Sequence, residues 1–334
     1  MSTDSPKVTI AIVCWNSAAY LPHCLDSLSK QTFSDFEVVL VDNGSTDGGV
    51  DGIAEEFPEL QLRIEKLMSN RGFAVANNIA ARLARGEWLA LLNSDAFPEP
   101  DWLQRLWDAT KEFPDTYFFT SRQIQANNPS RLDGEGDVYH VSGLAWRHNY
   151  NLPVDPAQGY QPVFSACGAA AMYPRQYFLD AGGFDEDYFA YFEDVDMGFR
   201  LQLMGLKCMF VPTAVVHHVG SASTGRTSDF VLYHGHRNLV WTFMKDMPGA
   251  LFWFYLPLHI LMNLYYLASF TLAGLGRPLW RAKIDALRGL PSSLQKRRIV
   301  QRSRSVPIGQ IRKSMSHGLL VLFRMRSERN RAGQ

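Results

Sequence analysis

Cysteine is scarce in this 334-residue chain. The four residues, Cys14, Cys24, Cys167 and Cys208, form no Cys-x-x-Cys pair and lie mostly in apolar segments. That argues against a disulfide frame and predicts reduced core thiols in a cytosolic protein. The amino terminus, MSTDSPK, lacks a basic stretch followed by an apolar run of its own, so no secretory signal is expected. No P-loop, dinucleotide fingerprint or Ser-His-Asp arrangement is present. Net charge is also missing, 33 basic residues balancing 33 acidic ones, but the balance conceals a split. Acids nearly vanish from Arg277 onward, where only Asp285 and Glu328 stand against fifteen lysines and arginines. An acidic body with a basic tail implies an anionic partner for the tail, a membrane surface or a nucleic acid.

Charge of either sign is absent between residues 250 and 276, which contain no Asp, Glu, Lys or Arg. A bilayer span needs about 20 apolar residues, so the segment is long enough. Pro257, His259, Asn263 and several glycines interrupt it, and Trp, Phe and Tyr enrich it. Aromatics favour the membrane interface. Interfacial helices, as a hairpin or an amphipathic pair, are therefore favoured over a true span or a buried helix pair. Basic residues follow at once: Arg277, Arg281, Lys283, Arg288, residues 296–298, Arg302 and Arg304. An apolar aromatic segment beside a polybasic stretch is a two-part signal for an anionic membrane face. No nucleic acid is expected as a partner.

Apolar residues make up 46% of the chain, enough for a sizeable core. The first 120 residues alternate buried-strand runs (8–15, 36–41, 60–64, 88–92, 117–120) with helical spacing (20–28, 50–57, 73–83, 102–107). Alternation of this kind predicts βαβ units and a doubly wound, mainly parallel α/β sheet. Polar residues stand after successive strands: Asn16, Asp42, Asn70, then Asn93 and Asp95. Ligands of open parallel sheets bind outside the carboxyl ends of the strands, so one sheet edge collects a site. Residues 123–165 are rich in Gly, Asn and Pro with little periodicity, which predicts a long loop excursion near that site. A helix is expected over 193–204, and short strands over 208–211 and 214–216, the first followed by Pro212.

Five segments in order, VTIAIVCWN (8–16), VDNGSTDG (41–48), NRGFAVANNIAARLARGEWLALLNSDA (70–96), GGFDEDYFAYFEDVDMGFRLQLMG (182–205) and VVHHVGSAS (215–223), resemble the inverting family-2 glycosyltransferases of the GT-A fold. The likeness is closest to the rhamnosyltransferase-like branch and covers about residues 7–240. It implies a GT-A domain over 1–245, with a nucleotide-sugar half (1–122) and an acceptor half (123–245). Residues 246–334 would form a helical, basic, membrane-associating region on the cytoplasmic side of the cell membrane.

The resemblance also implies site residues. Asp42 would bond the nucleotide base, Asn16 and Asn70 would line the donor pocket, and Gly72 would let backbone approach the donor. The Asp-x-Asp motif of the family reads Asn93-Ser94-Asp95 here, so one carboxylate is missing. Asn93 would reach the ribose, and Asp95 with His217 would hold Mn²⁺ or Mg²⁺, with His218 as its immediate neighbour. Asp194 would take the acceptor proton as general base, with Glu193 orienting the acceptor or the loop. The implied partners are a nucleotide-sugar donor (dTDP-rhamnose first, a UDP-sugar next), a lipid-linked or polysaccharide acceptor and an anionic membrane surface. A catalytically inactive nucleotide-sugar-binding or scaffold protein of the same fold is the alternative. A stretch at 134–139 resembles a loop of the rhamnosyltransferase-like branch, with no residue roles assigned.

Overall fold

The computed structural model describes residues 5–114, 117–220 and 228–318. Ser221, Ala222 and Ser223 of the last motif, and the basic residues from Arg324 onward, lie outside them. The amino-terminal half runs β1 (Val8–Cys14), α1 (Leu21–Ser29), β2 (Phe36–Asp42), α2 (Ile53–Glu56), β3 (Leu62–Lys66), α3 (Phe73–Leu83), β4 (Trp88–Asn93), β5 (Ala96–Pro98) and α4 (Trp102–Glu112). It continues with β6 (Tyr117–Gln125), β7 (Asn128–Gly134), β8 (Asp137–Tyr139), β9 (Ala145–Arg147), β10 (Gln161–Val163), β11 (Ala170–Pro174), α5 (Arg175–Asp180), α6 (Glu193–Leu203) and β12 (Lys207–His218). Five helices follow: α7 (Asp229–Asp246), α8 (Gly249–Leu272), α9 (Gly276–Arg288), α10 (Leu290–Arg302) and α11 (Ile308–Ser314).

The main sheet has the order β10-β12-β6-β11-β4-β1-β2-β3. Its β4-β1-β2-β3 part is parallel, while β11 runs antiparallel between β4 and β6. Alternation along β1 supplies both faces. Val8, Ile10 and Ile12 join α1 and α4 in one core, and Ala11 meets the alanines of α3 in the other. Strands buried on both sides read as continuous apolar runs, which is why these were visible in the sequence.

The excursion over 123–165 is a correction to the loop expectation. It folds back as β7 onto β6, as the β8–β9 hairpin, and as β10 against β12. Several of its polar residues are buried in pairs, so no alternating apolar pattern marks the strands. Arg122 forms a buried ion pair with Glu135 at 3.1 Å, and Asn149 Nδ2 donates to Glu135 Oε2 at 2.7 Å. The two short strands expected over 208–216 are one strand, β12. Pro212 falls where its pairing with β6 shifts register between Val211 and Val215, a place that tolerates a missing N–H.

Candidate active site

Parallel pairing sets the strand ends level. Cys14 lies opposite Asp42, and Val13 opposite Asn93, so the residues that follow emerge along one edge. On the β1–β2 side, Asp42 is 5% exposed and its Oδ1 accepts from the Ser45 N–H at 2.9 Å. Oδ2 has no hydrogen-bond partner among the described residues. Asn16, at φ +50°, accepts the Thr46 N–H at 2.9 Å. Asn70 is tied internally: its Oδ1 accepts from Asn43 Nδ2 at 3.0 Å and from the Gly72 N–H at 2.9 Å. Asn43, which sequence reasoning missed, also accepts the Arg71 N–H at 2.9 Å. Gly72 also admits a neighbouring loop. At φ +88° its missing Cβ would sit 2.6 Å from the Phe189 carbonyl, so the close approach is to the 189 loop.

Asp95 and His218 meet at the end of β4. His218 Nε2 lies 3.3 Å from Asp95 Oδ1, and its Nδ1 lies 2.7 Å from Asp133 Oδ2. Asn93 Nδ2 approaches His218 Nε2 at 3.4 Å. Pairing of β5 with β12 sets His218 opposite Ala96, beside Asp95. His217, the expected ligand, faces the other way and its Nε2 sits 3.2 Å from Glu99 Oε1. The two-residue period of a strand is the reason: adjacent histidines point to opposite faces. Burial would raise the Asp95 pKa, but the hydrogen bond and charge of His218 outweigh it and hold the carboxyl below its usual range. Burial would lower the His218 pKa, but Asp133 and Asp95 outweigh it and raise it.

Among the described residues no group of three or more His, Cys, Asp or Glu is gathered as a metal would need. Asp95 and His218 still fit a half-site. Their donors converge, and the far nitrogen of the imidazole is fixed by a carboxylate, the usual support of a ligating histidine. Mn²⁺ and Mg²⁺ accept few protein ligands when substrate phosphates supply others.

Asp194 is the second residue of α6. Its Oδ2 accepts the Gly168 N–H at 3.0 Å and its Oδ1 the Val195 N–H at 2.8 Å. Burial raises its pKa against these backbone donors and Arg147. Glu193 is 6% exposed, and its Oε2 has no hydrogen-bond partner among the described residues. Burial and then the Asp194 charge raise its pKa well above the usual carboxylate range. The loop before α6 carries three non-glycine residues at positive φ, Phe189, Tyr191 and Phe192. Asn238 of α7 holds it, its Nδ2 donating to the carbonyls of Tyr188 (3.1 Å), Ala190 (2.9 Å) and Tyr191 (2.7 Å).

The refolded excursion brings Asp133, Asp137 and Arg147 to the same region. Asp133 and Asp137 are buried, and Arg147 forms an ion pair with Asp133. The stretch at 134–139, singled out in the sequence without roles, holds Asp137 alone of the three.

Acidic and histidine side chains gathered at the carboxyl ends of the strands of a mixed α/β sheet form the kind of edge where such sheets bind ligands. The profile described as Glycosyl transferase family 2 matches residues 9–181, and the chain belongs to that family. It is a glycosyltransferase of the rhamnosyltransferase-like type that uses a nucleotide-sugar donor. It is 29% identical over 281 residues to the N-acetylglucosaminyl-diphospho-decaprenol L-rhamnosyltransferase of Mycobacterium tuberculosis, covering 75% of this chain and 87% of that one. It is 45% identical over 105 residues to a PGL/p-HBAD biosynthesis glycosyltransferase of Mycobacterium bovis, covering 30% and 41%. The fold is shared with a mannosyltransferase from Pyrobaculum calidifontis, solved with GDP-Man and Mn²⁺, at a TM-score of 0.55 and 21% identity over 90% and 86% of the two chains. It is also shared with residues 1–349 of TarS from S. aureus, at 0.56 and 17% over 98% and 92%.

Proposed function

We propose that the enzyme transfers L-rhamnose from dTDP-rhamnose, with inversion, to a hydroxyl of a lipid-linked or cell-surface polysaccharide acceptor at the cytoplasmic face of the membrane. A UDP-sugar is the second-ranked donor. The observation that carries this reading is the similarity to the mycobacterial rhamnosyltransferase, which covers 75% of the chain and so reaches past the nucleotide half. Asp42 bonds the base through Oδ2, Asn16 and Asn70 shape the pocket around it, and Asn93 reaches the ribose. Asp95 and His218 would hold Mn²⁺ or Mg²⁺, whose positive charge would counter that of the departing diphosphate. Asp194 takes the proton of the acceptor hydroxyl. Its raised pKa makes it a stronger base than a solvated aspartate. Glu193 orients the acceptor. The test is transfer from a panel of nucleotide-sugars to a lipid-diphosphate-linked N-acetylglucosamine, with and without Mn²⁺. Turnover with dTDP-rhamnose is the expected result; turnover with UDP-sugars alone would overturn the donor assignment.

The same reading makes residues from 246 onward the membrane-associating part. Helix α8 is the one described helix long and apolar enough to cross a membrane. It is a single helix and not a hairpin, and one stripe of it, Phe252, Tyr255, His259 and Leu267, is buried. His259 Nδ1 lies 2.8 Å from the Ser142 carbonyl, tying α8 to the enzyme body. Its other faces expose Trp253 and Phe254, each 72% accessible, with Leu261 and Leu264. Trp280 and Ile284 of α9 and Ile299 of α10 are exposed as well. Attachment along one stripe with apolar side chains outward supports docking on the leaflet over spanning.

A further inference from the structure

Resting on that donor reading, we propose that Arg147 binds the leaving phosphate of the donor. It supplies a fixed positive charge that the turn Asn93-Ser94-Asp95, one carboxylate short, does not recruit through a metal alone. The placement is built by the hairpin. Arg147 stands opposite Asp137 in the β8–β9 pairing, and its stem lies across Gly134. A Cβ on Gly134 would meet Arg147 Cδ at 3.2 Å and Cβ at 3.3 Å, so that glycine makes room for the arginine. The guanidinium is anchored on Asp133, the same carboxylate that fixes His218 Nδ1 at 2.7 Å, and His218 leads to Asp95 at 3.3 Å. Arg147 is thus wired to the end of β4 through two side chains. Its charge also favours the ionised forms of Asp95 and Asp194.

The donor atoms are available. Nη1 serves Asp133, while Nε and Nη2 have no hydrogen-bond partner among the described residues, and the side chain is 30% exposed where Asp133 is 3% exposed. A planar guanidinium with free N–H groups suits a phosphate oxygen pair. In the transfer, the bond between the anomeric carbon and the β-phosphate oxygen breaks, and its electron pair stays on that oxygen. The acceptor oxygen bonds the anomeric carbon and its proton passes to Asp194. The nucleoside diphosphate leaves with one more negative charge, which Arg147 meets.

The experiment is calorimetric titration of the full-length protein with dTDP and UDP against thymidine and uridine, with and without Mn²⁺. In the unaltered protein the diphosphates bind more tightly than the nucleosides. Arg147→Met should weaken diphosphate binding by about 10–100-fold, the worth of charge-assisted hydrogen bonds, and leave nucleoside binding unchanged. Arg147→Lys should recover part of the loss. If Arg147→Met fails to fold because the buried Asp133 loses its arginine partner, the double variant Asp133→Asn/Arg147→Met removes both charges and gives the same readout. Undiminished diphosphate preference in either variant overturns the proposal. An unaltered protein that binds neither diphosphate overturns the donor reading itself, a distinct outcome.

Discussion

Asp194 and His218 illustrate how one residue's surroundings decide its chemistry. Asp194 keeps a raised proton affinity because burial outweighs two backbone N–H bonds and the Arg147 charge. Asp194→Asn should lower turnover by on the order of 10²–10⁴, the span of general acid–base catalysis, with donor affinity unchanged in a titration. Near-full activity would move the base to Glu193. The two histidines of β12 make opposite predictions. His218→Ala should remove the Mn²⁺-dependent part of nucleotide binding. His217→Ala, which loses only a partly exposed contact to Glu99, should leave it within about twofold. Equal losses in both would reject the Asp95–His218 half-site.

At the scale of elements, the C-terminal helices hold the loop before α6 in place. Asp185 receives Lys245 of α7 at 2.6 Å and also Lys296 of α10, and Lys296 reaches Asp187 at 2.6 Å. Lys245 and Arg200 both pair with Asp196, two residues beyond Asp194. Three residues of the basic tail are therefore spent inward. Lys296 serves this loop, Arg297 donates to the Met247 carbonyl at 2.7 Å, and Lys283 donates to the His236 carbonyl at 2.7 Å. Burial alone would raise the Asp185 pKa, but Lys245 and Lys296 drive it far below the carboxylate range. A depressed folded pKa gives stability that is present above the unfolded value, about 4, and is lost as pH falls through the folded one. Lys296→Ala should cost about 1 kcal/mol at pH 7, roughly 2–4 °C in Tm. That deficit should shrink in melts below about pH 4; a deficit independent of pH would place the role of Lys296 in packing.

For the molecule as a whole, the exposed aromatic face and the outward arginines set the membrane prediction. Arg277, Arg281, Arg288, Arg298 and Arg302 are exposed. At about 1 kcal/mol each near an anionic leaflet they attract strongly at low salt. Buried Trp, Phe and Leu side chains, each worth about 1.5–3 kcal/mol, persist when salt screens the charges. Full-length protein should float with anionic vesicles, and high salt should weaken that binding without abolishing it. Trp253→Ser/Phe254→Ser should bind more weakly at every salt concentration. Protein that ignores vesicles at low salt would assign this face to another partner.

The sequence by itself determined the strand-and-helix alternation, the edge that carries Asn16, Asp42, Asn93 and Asp95, and the carboxylate pair Glu193-Asp194. The strands, helices and polar edge are written in neighbouring residues, as apolar runs, helical periods and strand-end polar groups, while the carboxylate pair drew its meaning from the five motifs that resemble a family. Only the tertiary structure decided which histidine faces Asp95, because a one-residue step on β12 depends on its pairing with β5. It also decided that residues 123–165 form strands, because buried polar pairs such as Arg122 and Glu135 take places that an apolar alternation would otherwise mark. Asp133, Arg147 and Asn238 acquire meaning through contacts across 14 to 85 positions of chain, with Arg147, His218 and the 188–191 carbonyls. Hydrophobic periodicity records which face is buried, not which polar groups will meet there.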